Sequence, residues 1–339
     1  MPSSRSKHTS IADCLRRLAE ADGPPGWEGT VRRLVEKDLH TSMGKVRVSP
    51  LGSVYAERQS GRGMRVLVSS HLDEVGFVVS HLDHQGFAWL HPAGEVNAEA
   101  CSGAAIRFSA GLLATLGVVP RPTWRGEGPP RLLADFGPGG LNHRLRTGGM
   151  GVFATPFEVD GRTIRGKALD GRVGVALALH AAGLSKRAGN TLVLGMTVLG
   201  QVGQRAAQAA AFDLEPEAAI TLGVLPTDGK RAPGCTAVHP GKGPVILVRS
   251  SRFVADAWLV EALVHTAVRA RLSHQIAVSE ENPTGASAIQ ASQGGIPTAT
   301  ILVAGTGIGT PRQSVEGQDL EAAAELLVRL LERPLVPRR

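Results

Sequence analysis

The chain has 339 residues, 42% of them hydrophobic and 4% aromatic, with a formal net charge of +7 and three cysteines. Its length predicts two domains, and its positive charge is spread along the sequence with few aromatic residues, so nucleic-acid binding is not expected. The cysteines are widely spaced and form no C-x-x-C pair, which excludes a disulfide scaffold and a zinc site built from cysteine pairs.

Membrane association is not expected either. The first ten residues are polar and basic, and no apolar run approaches the ~18 residues of a membrane span. We therefore expect a soluble protein located in the cytoplasm.

The first 80 residues contain predicted helices followed by predicted strands. Apolar residues at helical spacing predict helices at Ser10–Ala21 and Thr30–Leu39. Runs rich in β-branched residues predict strands at Val46–Tyr55 and Met64–Ser70. The amphipathic helices are expected to cover a sheet.

A different pattern follows, in which glycine and proline interrupt short strand-like runs and no long helix is evident. It predicts a small β domain at residues 79–164, inserted into an α/β domain made of residues 1–78 and 165–339. The D-H-Q-G sequence at residues 83–86 predicts a hairpin turn within the inserted domain.

After Gly166, helical and strand patterns alternate. The predicted helices are Arg172–Leu184, Gln201–Ala211, Phe253–Leu272 and Asp319–Leu331, and the predicted strands are Thr191–Val198, Ala218–Leu225 and Thr298–Val303. The alternation predicts an α/β fold with a mixed, largely parallel sheet that helices cover on both faces.

The stretch Met64–Ser80 carries the first candidate site. His71 follows a buried strand, where a histidine can face a crevice, and Asp73 lies on the same face and can accept the other ring N–H. The pair suits a metal ligand and its orienting carboxylate. An isolated H-x-D pair is more often a hydrogen-bonded histidine beside a turn, so the rest of the chain must decide.

Further motifs run in order along nearly the whole chain. They are G-P-P-G-W-E (Gly23–Glu28), S-H-L-D-E-V-G-F-V-V (Ser70–Val79), T-P-F-E (Thr155–Glu158), G-K-A-L-D-G-R-V-G (Gly166–Gly174), T-V-x-x-x-V-G-x-R-A-A (Thr197–Ala207), G-K-G-P (Gly241–Pro244) and G-I-P-T (Gly295–Thr298). With these motifs the chain resembles the M42 family of metallo-aminopeptidases. The resemblance implies a zinc-peptidase-like α/β domain, an inserted β domain used in oligomer contacts, often a tetrahedral dodecamer, and two metal ions that serve to trim peptides from the N-terminus.

The resemblance also assigns roles to individual residues. His71 matches the family's first histidine ligand, Asp73 its orienting aspartate and Asp170 its bridging aspartate. Gly200 stands at the position of the general base, and Gln201 stands at the adjacent metal ligand. Glycine has no proton acceptor, and the neutral amide oxygen of glutamine is a poor donor to a divalent cation.

Three further family positions are also occupied by glycine. Gly223 and Gly309 align with metal ligands, and Gly285 aligns with the aspartate of a G-T-D-A motif. We therefore expect no metal pair at full occupancy, because two dications facing one carboxylate repel each other. One weakly bound Zn, Co or Mn ion at His71 and Asp170 is an open alternative, as is a pair that is only hydrogen-bonded.

Other candidate groups are weaker. Glu74 is a substitute base only if it faces His71, and strand alternation directs it to the opposite face. Cys235, His239 and His274 match no metal-binding spacing.

The sequence thus predicts an M42-like protein that has lost peptidase activity and acts in assembly or peptide binding. We expect a homo-oligomer, from a dimer to a dodecamer, with peptides or an active paralogue as partners. The alternative is an active metal-dependent aminopeptidase or other hydrolase that uses relocated ligands or a single metal.

Overall fold

The computed structural model describes residues 10–59, 63–109, 111–120, 130–137, 145–184, 189–228 and 233–337. Its helices are α1 (Ile11–Glu20), α2 (Gly29–Ser42), α3 (Ala98–Cys101), α4 (Leu169–Leu184), α5 (Arg205–Leu214), α6 (Ala257–Ala270), α7 (Ala286–Gln290) and α8 (Gly317–Leu331). Its strands are β1 (Lys45–Val48), β2 (Val54–Arg58), β3 (Arg65–His71), β4 (Gly76–Leu82), β5 (Ala88–Ala93), β6 (Ala105–Phe108), β7 (Leu113–Val119), β8 (Arg131–Asp135), β9 (Met150–Phe153), β10 (Glu158–Asp160), β11 (Thr163–Gly166), β12 (Thr191–Thr197), β13 (Ala218–Pro226), β14 (Val245–Arg249), β15 (Gln275–Val278), β16 (Thr298–Thr306) and β17 (Gln313–Glu316). In these ranges no helix has the length and apolar character to cross a membrane.

The larger domain is built on an 11-stranded sheet with the strand order β1-β2-β12-β3-β13-β16-β17-β11-β10, and β14 and β15 continue from β16. The central strands β12, β3, β13 and β16 are parallel, whereas the flanking strands of that order pair antiparallel. Val66 and Val68 of β3 join the core beneath α1, α2, α4 and α8, and Leu67 joins the core beneath α5. The predicted α/β fold with a mixed sheet covered on both faces is confirmed, and its parallel part is central.

The inserted domain is a closed barrel with the strand order β4-β5-β8-β7-β6-β9. Its core is apolar, and the rings of Phe77 and Phe153 meet edge to face with their centroids 5.0 Å apart. The barrel strands run from Gly76 to Phe153, whereas β11 pairs with β17 in the large sheet and β10 pairs with β11. The β10–β11 hairpin, which the sequence analysis placed in the inserted domain, therefore belongs to the larger domain.

Two predicted elements differ from the structure. The segment Val46–Tyr55 is a hairpin of β1 and β2 rather than one strand, because the chain turns at Gly52, whose φ is +101°. The helix predicted after β12 begins only at Arg205, since Leu199 and Gln204 have left-handed φ values of +58° and +55°. Residues 198–204 therefore form a loop, and this loop carries part of the candidate site.

The carboxyl ends of the central parallel strands meet at one edge of the sheet. β3 ends at His71 and β12 at Thr197, and the N–H of Leu72 donates to the Thr197 oxygen at 2.6 Å. Helix α4 begins at Leu169. Ligands of open α/β sheets bind outside the carboxyl ends of the strands, so this edge is the place to examine.

Candidate functional site

His71 lies at the end of β3 and is 9% exposed. Its Nδ1 is 3.1 Å from the backbone oxygen of Asp73 and 3.4 Å from the Asp73 carboxylate. Both are acceptors, so Nδ1 carries the ring proton, and Nε2 lies 3.9 Å from Oδ2 of Asp170. Burial by itself lowers the pKa of His71, but the hydrogen bond and charge of Asp73, with the charge of Asp170, raise it above its ordinary value.

The Asp73 carboxylate also fixes the loop that follows β12. It is fully buried and accepts the N–H groups of Gly200 at 2.7 Å and Gln201 at 2.8 Å. Glu28 supports the same loop, because its Oε1 accepts the N–H of Leu199 at 3.2 Å, and burial raises the pKa of this glutamate. The sequence analysis missed this role of Glu28, whose only signal was its place in the G-P-P-G-W-E motif.

Asp170, in the first turn of α4, contacts Gln201. The side-chain amide of Gln201 donates to Oδ2 of Asp170 at 2.5 Å, and the N–H of Asp170 donates to Oε1 of Gln313 at 3.0 Å. The other carboxylate oxygen, Oδ1, is buried and has no hydrogen-bond partner within the described residues. The structure thus brings His71, Asp170 and Gln201 together.

Two glycines enclose the His71 ring. A Cβ atom at Gly200 would lie 2.5 Å from Cβ of His71, and a Cβ atom at Gly171 would lie 2.5 Å from its Cε1. These separations are shorter than packed carbon atoms allow, so neither position has room for a side chain in this backbone. Gly200, which the resemblance aligns with the general base, thus lies directly against the imidazole.

Neighbouring atoms also fill the space at the other glycine positions. A Cβ atom at Gly223 would lie 3.0 Å from Cγ2 of Thr284, and one at Gly285 would lie 2.6 Å from Cβ of Ala207. Gly309 has a φ of +78°, and a Cβ atom there would lie 2.9 Å from the backbone oxygen of Glu95. A Cβ atom at any of the three positions would therefore press on a neighbouring part of the chain.

Glu74 has a separate set of contacts. Its carboxylate oxygens lie 2.7 and 2.6 Å from Nζ of Lys167, and both side chains are buried. Lys167 is also 3.2 Å from Asp22, which pairs with Arg107 of the barrel at 2.7 Å. This network of ion pairs joins the two domains. Because the Glu74 carboxylate is bonded to Lys167, it does not face the His71 ring as a substitute base would.

The donor set does not fit the metal pair that the resemblance implies. Within the described ranges, no group of three or more His, Cys, Asp or Glu side chains is placed to hold a metal ion, and this result includes Cys235, His239 and His274. The Gln201 amide donates to Oδ2 of Asp170, an oxygen that a metal would need as a free acceptor. One imidazole and one carboxylate are fewer than the three protein ligands of a typical catalytic zinc site.

The site opens into a cleft of about 720 Å³ lined by residues of both domains. The loop after β5 borders it, and the N–H of Asn97 in this loop donates to the Gly309 oxygen at 3.0 Å. Glu95 and Glu281 also line the cleft; burial raises the pKa of Glu281, and the charge of Glu95 raises it further. The sequence analysis did not identify these two residues, because their proximity depends on how the domains meet.

The chain is similar over nearly its whole length to known aminopeptidases. The family model described as M42 glutamyl aminopeptidase matches residues 52–122 and 141–326. The lysyl aminopeptidase of Pyrococcus furiosus is 24% identical over 339 residues, covering 94% of this chain and 96% of that protein.

Solved structures agree with the sequence matches. The TET aminopeptidase of the marine sediment archaeon Thaumarchaeota archaeon SCGC AB-539-E09 is 25% identical with a TM-score of 0.87, covering 95% of this chain and 97% of that chain. The TET1 peptidase of Pyrococcus horikoshii, which can assemble into a tetrahedron or a large octahedral shell, is 21% identical with a TM-score of 0.80, covering 95% and 99% of the two chains. This second likeness concerns the fold alone. The resemblance to the M42 family, inferred from the motifs, and the fold class, inferred from the alternation of helical and strand patterns, are confirmed.

Proposed function

Because the chain belongs to the M42 peptidase family, we propose that it is a member that binds peptides in its cleft without hydrolysing them. The observation that supports the proposal is the hydrogen bond from the Gln201 amide to Asp170, because the resemblance implies a metal ligand at position 201 and this side chain is a neutral donor. Gly200 supplies no proton acceptor, and general-base help is typically worth about 10²–10⁴-fold in rate. The cleft keeps His71 and Asp170 as polar groups for a ligand.

A second candidate is an active metal-dependent aminopeptidase with relocated ligands or a single Zn, Co or Mn ion. The comparisons favour this candidate over a loss of activity, since the matching proteins are named as aminopeptidases. His71 and Asp170 would be its side-chain ligands, with Asp73 orienting the imidazole. The two candidates share the cleft and differ in metal content and turnover.

Hydrolysis and elemental analysis separate the two candidates. The purified chain is assayed against a panel of aminoacyl anilides with added Zn²⁺, Co²⁺ or Mn²⁺, and the lysyl aminopeptidase of P. furiosus serves as the positive control. The binding function predicts no metal-dependent turnover and well under one metal ion per chain, together with saturable peptide binding in calorimetry. Metal-dependent turnover that Asp170→Ala abolishes would establish the second candidate.

We also propose that the chain forms a homo-oligomer in the cytoplasm. Support comes from the fold it shares with the P. horikoshii TET1 peptidase, for which assembly into a tetrahedron or an octahedral shell is described. An active paralogue is a further candidate partner, because a chain without its own catalytic groups can serve in a mixed particle. Light scattering of the chain alone, and of the chain mixed with such a paralogue, measures both assemblies.

A further inference from the structure

Charged groups hold one part of the junction between the barrel and the larger domain. Glu74 lies where the chain passes from β3 into β4, and its carboxylate bonds to Nζ of Lys167 at 2.6 Å and accepts the Gly23 N–H at 2.9 Å. The neighbouring Asp22 accepts two hydrogen bonds from Arg107 of the barrel, from Nε at 2.8 Å and from Nη2 at 2.7 Å. Separating such pairs leaves charges without compensation, so the barrel is firmly attached here.

Neutral contacts hold the junction at the cleft. The N–H of Asn97, in the loop after β5, donates to the Gly309 oxygen at 3.0 Å, and the thiol of Cys101 donates to the same oxygen at 3.7 Å. Gly309 belongs to the loop between β16 and β17 of the larger domain. A hydrogen bond between neutral groups contributes much less to stability than the disruption of a buried ion pair costs. The junction is therefore weaker at the cleft than around Glu74.

Two like charges face each other beside these neutral contacts. Glu95, two residues before Asn97, and Glu281 of the larger domain both line the cleft. Burial raises the pKa of Glu281, and the charge of Glu95 raises it further. Two carboxylates that interact in this way repel each other when both are ionised. Their repulsion acts to separate the barrel from the larger domain at the cleft.

We propose that the barrel is a hinged lid over the cleft. The ion pairs around Glu74 are its pivot, the contact of Asn97 with Gly309 is its latch, and the repulsion between Glu95 and Glu281 weakens the latch. Opening at the latch widens the cleft while the barrel stays attached at the pivot. The motion itself goes beyond the proposed function, and only its role in admitting a peptide rests on that function.

Two buried cysteines test the opening of the latch. Burial raises the pKa of both Cys14 and Cys101 to about 11, so their thiols have similar intrinsic reactivity. Opening of the lid exposes Cys101, which lies at the latch, but leaves Cys14 in the core beside α4 and α8. Iodoacetamide at pH 8 should alkylate Cys101 of the full chain at least about tenfold faster than Cys14, because local opening needs less free energy than global unfolding. Mass spectrometry of each site measures the two rates, and equal rates overturn the lid.

Glu281→Gln tests the repulsion. The substitution removes one charge of the facing pair, so it should favour the closed lid and slow the alkylation of Cys101 about two- to fivefold, with no change at Cys14. Glu280→Gln is the matched control, because Glu280 is paired with Arg249 at 2.8 Å, and it should change the rate less than about twofold. Unchanged or faster alkylation of Cys101 in Glu281→Gln contradicts the role of the repulsion.

Gly309→Ala should open the latch. A Cβ atom at Gly309 would lie 2.9 Å from the backbone oxygen of Glu95, and the φ of Gly309 is +78°. Gly86→Ala is the control, because Gly86 has a φ of +90° and no heavy atom of the described chain lies within 4 Å of its Cβ position. Relative to the Cys14 rate in the same variant, alkylation of Cys101 should be at least about fivefold faster in Gly309→Ala than in Gly86→Ala. Equal relative rates in the two variants overturn the latch.

Amide hydrogen exchange compares the pivot with the latch. The Glu74 N–H donates to the Gly23 oxygen at 3.1 Å at the pivot, and the Asn97 N–H donates to the Gly309 oxygen at 3.0 Å at the latch. In Glu281→Gln, exchange should become slower at Asn97 and stay unchanged at Glu74, since the pivot bond is present in both states of the lid. Parallel changes at the two amides overturn the assignment of pivot and latch.

None of these measurements uses a peptide. A chain that binds no peptide but shows the expected alkylation rates contradicts the proposed function and supports the lid. Peptide binding by a chain with equal rates at Cys14 and Cys101 supports the proposed function and overturns the lid.

Discussion

The side-chain amide of Gln201 donates a hydrogen bond to Oδ2 of Asp170 at 2.5 Å. An amide N–H and a divalent cation compete for the same lone pairs, so the contact satisfies the carboxylate in a way that a metal ligand at position 201 would not. The same loop is held in place by the Asp73 carboxylate through the N–H groups of Gly200 and Gln201. The backbone that carries Gln201 is therefore fixed by hydrogen bonds.

Gln201→Glu should raise metal affinity. The substitution removes the donor to Asp170 and gives His71, Asp170 and residue 201 together three possible ligands, the number typical of a catalytic zinc site. We expect added Zn²⁺ or Co²⁺ to raise the melting temperature of the variant by several degrees more than that of the parent chain, through stabilisation of the bound form. Without metal the free energy of unfolding of the variant should fall by about 1–3 kcal/mol, because the carboxylates of Asp170 and the new glutamate would face each other where a hydrogen bond stood before.

Gln204→Glu is the matched control for this comparison. It adds a carboxylate to the same cleft, but the Gln204 amide donates to the Asn282 oxygen at 3.3 Å rather than to Asp170. Its melting temperature should respond to metal as the parent chain does. Equal metal-induced shifts in the parent and in Gln201→Glu would contradict the view that position 201 limits metal binding.

Gly200→Ala should destabilise the fold. The added methyl group would meet Cβ and Cγ of His71 at 2.5 and 2.6 Å, so the ring or the loop must move. Overpacking of this kind typically costs about 1–3 kcal/mol in the free energy of unfolding. Chemical denaturation followed by circular dichroism measures this loss.

Gly294→Ala serves as its control. A Cβ atom there has no heavy atom of the described chain within 4 Å, and the backbone of Gly294 is not in the left-handed region. A glycine-to-alanine change at a compatible site stabilises the folded protein by about 0.4–1 kcal/mol, because it reduces the conformational entropy of the unfolded chain. A Gly200→Ala variant as stable as Gly294→Ala would show that the His71 ring is not held as described.

The sequence patterns predict the sheet, its covering helices and the strand end that carries His71, because apolar periodicity and strand alternation act locally. The expectation that the family's general base and several of its metal ligands are absent comes from the resemblance and stays a prediction. The sequence patterns do not predict that Gly171 and Gly200 close around the imidazole, since this depends on the approach of separate backbone segments. The cleft carboxylates Glu95 and Glu281 were missed for a related reason, because they come from different domains.

Cysteine reactivity should distinguish buried from accessible thiols. Burial raises the pKa of both Cys14 and Cys101 to about 11, whereas Cys235 is half-buried. At pH 8 a thiol with this raised pKa is about one-thousandth thiolate, the reactive form, and both side chains are also shielded. Ellman's reagent should therefore modify one thiol per native chain rapidly and all three in denaturant, and Cys235→Ser should remove the rapid phase. Rapid modification of two or more thiols in the native chain would contradict this burial.

Lys167→Met should be among the most destabilising single changes in the chain. Lys167 and Glu74 are each 1% exposed, and the substitution keeps the side-chain length while leaving the Glu74 carboxylate with the Gly23 N–H at 2.9 Å and Arg172 at 3.8 Å. Removing one partner of a buried ion pair costs about 3–5 kcal/mol, because the remaining charge stays desolvated. Chemical unfolding should show this loss, and the added change Glu74→Gln should recover part of it.

Arg329→Met, which breaks the exposed pair with Glu325, should cost at most about 0.5 kcal/mol. A similar small loss for Lys167→Met would mean that the charge of Lys167 is not needed to stabilise the buried Glu74.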